Sequence, residues 1–245
     1  MANQLYFLPM GYCDCLDSVL TPETATGKRL KVPIWSYLIK TPSANILFDT
    51  GMPHICVTDP RSLFPNTENI IPVMQEEDKV EKRLNQLGLM VDDIDLVINS
   101  HFHFDHAGGN AAFPNHTILV QKDELDLYNP DVAGFQIAPN RYQTVQGQKE
   151  IAAGVYLLPT PGHTPGHQSL LVRTEDSGAF VITSDAVYTS ANFTPENLGA
   201  MWNATQGATS VTYLQDVQLQ EKARVFFSHD PEQGRLFERA PFAYR

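Results

Sequence analysis

An α/β sandwich, with sheets flanked by helices, is the fold class that the sequence predicts. Three observations carry it. Eight short apolar runs, rich in β-branched or aromatic residues, are bounded by Gly, Pro, Asn or Asp. Helical patterns lie among these runs without strict strand-helix alternation. No Ser- or Gly-rich linker divides the 245 residues, so 1–245 reads as one domain.

In chain order, "IWSYLIK" (Ile34 to Lys40) and "NILFDTG" (Asn45 to Gly51) are the first expected strands, the second closed by its Gly. "EEDKVEKRLNQLG" follows as a helix. Its apolar residues recur at Val80, Leu84 and Leu87, its first turn is acidic, and Gly88 suits a C-cap. "DLVINS" (Asp95 to Ser100), "TILVQ" (Thr117 to Gln121), "VYLLP" (Val155 to Pro159), "QSLLVR" (Gln168 to Arg173) and "AFVITS" (Ala179 to Ser184) are strands by the same criterion. A second helix is expected from about Ser210 to Ala223, with Val211, Leu214 and Val217 on one side, before a last strand, "RVFFS" (Arg224 to Ser228).

Composition excludes several classes. A hydrophobic content of 42% is that of a globular chain, and no repeat or low-complexity tract appears. The N-terminal "MANQLYFLPMG" has neither a basic region nor a long apolar core, and no stretch approaches the ~18 apolar residues of a membrane span, so a cytoplasmic protein is expected. A formal charge of −11 works against nucleic-acid or anionic-membrane partners, though not against an anionic substrate held by a metal. Cys13, Cys15 and Cys56 form no paired framework, which suits a reducing compartment. Cys13-x-Cys15 has the spacing for a soft metal, but no second Cys pair completes a site.

The polar chemistry falls directly after the apolar runs: Asp49 after "ILF", His101 after "LVINS", His163 after "VYLLPTPG", Asp185 after "FVITS" and His229 after "VFFS". Strand ends on one sheet edge converge on a site over a rigid base. "SHFHFDHAGGN" adds His103, Asp105 and His106, and Gly108 and Gly109 serve the turn. Imidazoles and carboxylates suit zinc and other borderline divalent ions. Five histidines with Asp105 and Asp185 are the number needed for two metals sharing a bridging carboxylate.

The order "HxHxDH", "HTPGHQ", "SDAxY" and "SHD" resembles the metallo-β-lactamase superfamily, and "LYFLPMG", "ILFDTGMP", "SHFHFDHAGGN", "TPGHTPGHQSLL" and "FFSHDPEQ" together resemble its quorum-quenching N-acyl homoserine lactonases. The resemblance implies an αββα sandwich with a dinuclear site at the strand ends of one edge. It implies one ion on His101, His103 and His163, a second on Asp105, His106 and His229, and Asp185 bridging them. The implied ions are two Zn²⁺, with Co²⁺, Mn²⁺ or Fe²⁺ also suited to such donors. The implied reaction is lactone hydrolysis by a hydroxide held between the ions. In it Tyr188 hydrogen-bonds the carbonyl oxygen and Asp105 carries the proton to the leaving alkoxide.

By the same resemblance Asp49 and His167 orient ligands without binding metal. Met10, Leu16, Phe64, Phe104 and Trp202 are candidates for an acyl-chain pocket, with core packing the alternative for each. His54 and His116 read as solvated loop residues. Asn129 to Glu150 reads as a lid or a subunit contact, the latter implying a homodimer. Competing readings are a glyoxalase II-like thioesterase, for which only about sixteen residues remain after His229, a phosphodiesterase, which lacks a basic exosite, and a catalytically silent metal-binding sensor.

Overall fold

A computed structural model describes residues 2–22, 25–127, 138 and 141–245. In chain order the strands are β1 (Gln4–Leu16), β2 (Arg29–Lys40), β3 (Asn45–Phe48), β4 (Ile70–Val73), β5 (Leu96–Ile98), β6 (Ile118–Gln121), β7 (Tyr142–Val145), β8 (Lys149–Ala152), β9 (Val155–Pro159), β10 (Gln168–Arg173), β11 (Ala179–Ile182) and β12 (Arg224–Phe226). The α-helices are α1 (Ile55–Thr58), α2 (Val80–Gln86), α3 (Phe104–Ala107), α4 (Lys122–Asp126), α5 (Ala204–Glu221) and α6 (Gln233–Leu236). One sheet has the order β4-β1-β2-β3-β5-β6-β7 and the other β12-β11-β10-β9-β8.

The alternation of side chains along each strand builds the layers. Leu5 and Phe7 of β1, Trp35, Tyr37 and Ile39 of β2, and Ile98 of β5 face Leu157, Leu170, Val172, Phe180 and Phe226 of the second sheet. Intervening residues such as Leu8, Leu38 and Val97 pack outward against Val80 and Leu84 of α2. On the far side Leu158, Leu171 and Val181 meet Val211, Leu214 and Val217 of α5. Helix, sheet, sheet and helix are stacked on three buried apolar layers, as an αββα sandwich requires.

Four strands differ from expectation by being absent from it: β1, β4, β7 and β8. β1 contains Pro9 and Gly11, residues that commonly interrupt strands. The structure instead shifts register between Pro9 and Tyr12, and Gly11 takes φ +94°, so the strand bends there and continues to pair. Other bounds moved for local reasons. β3 stops at Phe48 because Asp49 has φ +63°, and β11 stops before Ser184, whose φ is +47°. α5 begins six residues before Ser210 because the Asn203 side chain accepts from Gln206 N and caps it there. The first expected helix divides into a 3₁₀ turn, Glu76–Asp78, and α2. The latter part of the 129–150 segment forms β7 and β8; 129–137, 139 and 140, which the expected lid or subunit contact includes, lie outside the described residues. No described helix is long and apolar enough to cross a membrane.

Candidate metal centre

Each donor named from the sequence sits where regular structure stops. His101 follows β5, and His103 precedes the single turn of α3, which carries Asp105 and His106. His163 lies in the turn from β9 to β10, Asp185 just after β11, and His229 just after β12. The two non-glycine residues with positive φ nearest these positions, Asp49 and Ser184, are fully buried. Such backbone persists only where its surroundings over-determine it.

The donor atoms form two groups: His101, His103, His163 and Asp185, and Asp105, His106 and His229, each set lying within 4.8 Å of one another. Asp185 faces both. Its Oδ2 is 3.3 Å from His163 Nε2 and 3.7 Å from His101 Nε2, while its Oδ1 is 3.0 Å from both His106 Nε2 and His229 Nε2. Asp105 Oδ2 lies 3.5 Å from His229 Nε2 and 3.6 Å from His106 Nε2.

In three of these rings the far side fixes the orientation. His163 Nδ1 donates to Ala200 O and His229 Nδ1 to Pro33 O, both at 2.9 Å. His106 Nδ1 is 2.8 Å from Asp49 Oδ2, and Asp49 also accepts from Ser100 N. A proton held at Nδ1 turns the Nε2 lone pair toward the group centre. His101 Nε2, His106 Nε2 and Asp185 Oδ1 are buried there without a hydrogen-bond partner. Buried polar atoms are costly when unpaired, so converging lone pairs of N and O in this setting fit divalent cations.

Electrostatics divide the histidines. Burial, aided by neighbouring imidazoles, pushes His163 down to about 4 and His101 well below its ordinary value. Burial also opposes charge on His106 and His229, but the Asp185 and Asp105 carboxylates outweigh it, raising His229 to about 9 and His106 well above the usual range.

His167 is engaged on both ring nitrogens, Nδ1 with Thr160 Oγ1 at 2.8 Å and Nε2 accepting from Asp185 N at 3.0 Å, and it belongs to neither donor group. Tyr188 lines the cavity in front of the donors, its hydroxyl 3.1 Å from His163 Nδ1 and 3.3 Å from Ala200 O. Burial first, then Asp185 and Asp105, hold its phenol well above the ordinary value, so it is protonated at neutral pH.

That cavity, about 610 Å³, is in the range for a small-molecule site. Phe64 and Phe104 line it, edge to face with centroids 5.0 Å apart. Met10, Leu16 and Trp202 do not line it. Met10 is fully buried against Gly51, and Trp202 is 63% exposed. Leu16 has the wrong parity: Cys13 and Cys15 of β1 face the cavity, which turns Leu16 away. Neither donor group includes a cysteine. His116 corrects its expectation as a solvated residue, since it is half-buried with Nε2 2.8 Å from Ile94 O; His54 lies 3.2 Å from Glu81 at the surface.

Sequence reasoning missed Glu124. Its buried carboxylate accepts from Phe102 N at 2.8 Å, between His101 and His103, and from Thr164 Oγ1 at 2.6 Å and Gly166 N at 3.2 Å, beside His163. One side chain therefore ties together the two loops of the first donor group. Only its place at the end of an apolar run, "ILVQKDE", hinted at this.

Comparison with known proteins adds independent observations. The family model described as "Metallo-beta-lactamase superfamily" matches residues 30–229. An N-acyl homoserine lactonase from Bacillus sp. is 42% identical over 243 residues, covering 95% of each chain. A solved N-acyl homoserine lactone hydrolase, with the product N-hexanoyl-L-homoserine bound at its catalytic metal centre, superposes at a TM-score of 0.93 with 38% identity, covering 100% of both chains. A mutant AiiA of B. thuringiensis with N-decanoyl-L-homoserine bound at its active site gives 0.94, 38% and the same coverage.

Proposed function

The chain belongs to the metallo-beta-lactamase superfamily, and on that footing we propose that it hydrolyses the lactone ring of N-acyl homoserine lactones to the open N-acyl homoserines, an activity that quenches quorum signals. The observation that carries the reading is Asp185, whose two carboxylate oxygens are divided between two donor groups at the floor of an apolar cavity. His101, His103 and His163 would hold one divalent ion and Asp105, His106 and His229 a second, with Asp185 facing both groups. The donor set favours zinc. Such ions supply Lewis acidity for a carbonyl oxygen and bring the pKa of a water from 15.7 toward ~7.

The protein's own groups do the rest. The Tyr188 hydroxyl, protonated at neutral pH, donates to the lactone carbonyl oxygen as negative charge develops there. Asp105, at the cavity wall, takes the proton that attack of water releases and delivers it to the ring oxygen as the C–O bond breaks. Asp49, His167 and Glu124 keep His106, the Asp185 backbone and the two ligand loops in place. Phe64 and Phe104 receive the acyl chain and keep water from it. Three free thiols support a cytoplasmic setting, and the unbroken stack of apolar layers supports reading 1–245 as one domain.

Proton release tests the proposal. Metal-loaded protein is mixed with N-hexanoyl homoserine lactone in weak buffer, beside chelated protein and Asp105→Asn protein of measured metal content. Rapid acidification is expected, abolished by chelation and slowed roughly 10²- to 10⁴-fold in the variant. No acidification from protein that holds metal would overturn the lactonase reading, and thioesters and phosphodiesters would be the next substrates.

A further inference from the structure

Cys13 and Cys15 have no part in this reaction, yet their position is specific. They lie two residues apart on β1 and so project from the same face. That face is the wall of the catalytic cavity, which Asp105, Tyr188 and His229 also line. β1 is an interior strand there, with Cys13 opposite Val32 and Pro72, and Cys15 opposite Leu30 and Ile70. Val32 and Ile70 share the cavity wall, so the two thiols sit in an apolar frame that cannot swing aside. Each cysteine is only 3% exposed, which makes the cavity their route to solvent. Cys56 is a built-in control: it is equally buried but absent from the cavity lining.

We infer that the Cys13–Cys15 pair is a covalent modification site within the substrate cavity, taking small apolar electrophiles of the α,β-unsaturated carbonyl class and closing the cavity once occupied. The sulfur adds across the activated C=C bond. One S–C bond forms, the π bond is lost, and the thiol proton ends on the neighbouring carbon, with no leaving group and no oxidant. An apolar reagent is selected because it partitions into the same wall that the acyl chain is proposed to use. The inference rests on that reading of the cavity only for the loss of activity, not for the labelling itself.

The test uses metal-loaded protein and N-ethylmaleimide near neutral pH, followed by intact mass and peptide mapping. Adducts are expected at Cys15 and Cys13 before Cys56, with lactonase activity falling at the rate of labelling. N-Hexanoyl-L-homoserine at about ten times its dissociation constant is expected to slow labelling about tenfold. Cys13→Ser/Cys15→Ser protein is expected to keep its own untreated rate in the reagent, and Cys13→Ala/Cys15→Ala serves if the serines unsettle the strand. Labelling that starts at Cys56, or leaves activity intact, would overturn the inference, as would inactivation of the double variants at the unmodified protein's rate. If untreated protein hydrolyses no lactone, the proposed function fails, while the order of labelling by mass still decides the site.

Discussion

At the scale of single residues, the centre depends on groups that never face the cavity. Glu124 is the clearest. Its three hydrogen bonds reach the backbone between His101 and His103 and, just after His163, Thr164 and Gly166, and its burial makes each bond hard to replace with water. Glu124→Gln keeps the shape but turns one accepting oxygen into a donor that faces other donors. Removing such outer support weakens metal sites by ~10–100-fold, so chelator competition is expected to show that loss of metal affinity while the unheated fold is retained. Unchanged affinity would reduce Glu124 to a packing residue. The division of labour among histidines was partly legible beforehand: the "HTPGH" turn presented two candidates, and the bond from Asp185 N to His167 Nε2 separates them. No property of an isolated histidine carries that distinction.

At the scale of elements, the helix α5 and the β9–β10 turn hold each other. Gly162 has φ +142°, and a Cβ there would come within 2.4 Å of Gly207 N, a backbone atom of α5 that cannot yield cheaply. Gly162→Ala is therefore expected to lower the melting temperature and to displace His163, read as reduced metal content in the folded protein; normal values of both would show the contact to be soft. The other end of α5 is tied to β10 by Arg173, whose Nε and Nη2 donate to the two Glu221 oxygens at 2.8 and 2.7 Å. Arg173 holds the Glu221 carboxyl below its ordinary value despite slight burial. A carboxylate depressed in the folded state contributes stability above its unfolded pKa, about 4.3, and loses it as pH falls through the folded value. The pair is partly exposed, so its contribution is a few tenths of a kcal/mol to about 1 kcal/mol. Thermal melts of Glu221→Gln should lie slightly below those of the unmodified chain at pH 7 and converge with them as acid takes the carboxyl through its lowered folded value. A gap that persisted in acid would assign the effect to packing.

At the scale of the molecule, two sheets are held together by a dry aromatic layer while their loop ends carry a group of buried acids and imidazoles. Metal that binds only the folded chain stabilises it by mass action, about 4 kcal/mol at a thousand times its dissociation constant, or roughly 10 °C in melting temperature for a chain of this size. Chelation is expected to remove that increment reversibly, as scanning calorimetry would register, and an unchanged melting temperature would exclude metal from the site. The sequence alone determined which histidines and aspartates come to strand ends, because residues directly after apolar runs must emerge there whatever the sheet order. It also determined the layered α/β class, because short, near-continuous apolar runs require both faces of a sheet to be covered. The tertiary structure decided the rest. That Asp185 stands between two groups, that Cys13 and Cys15 rather than Leu16 face the cavity, and that Glu124 bridges loops some sixty residues apart all depend on strand order, register and a few left-handed backbone residues. These are set by cross-strand packing between distant segments, which local periodicity does not encode.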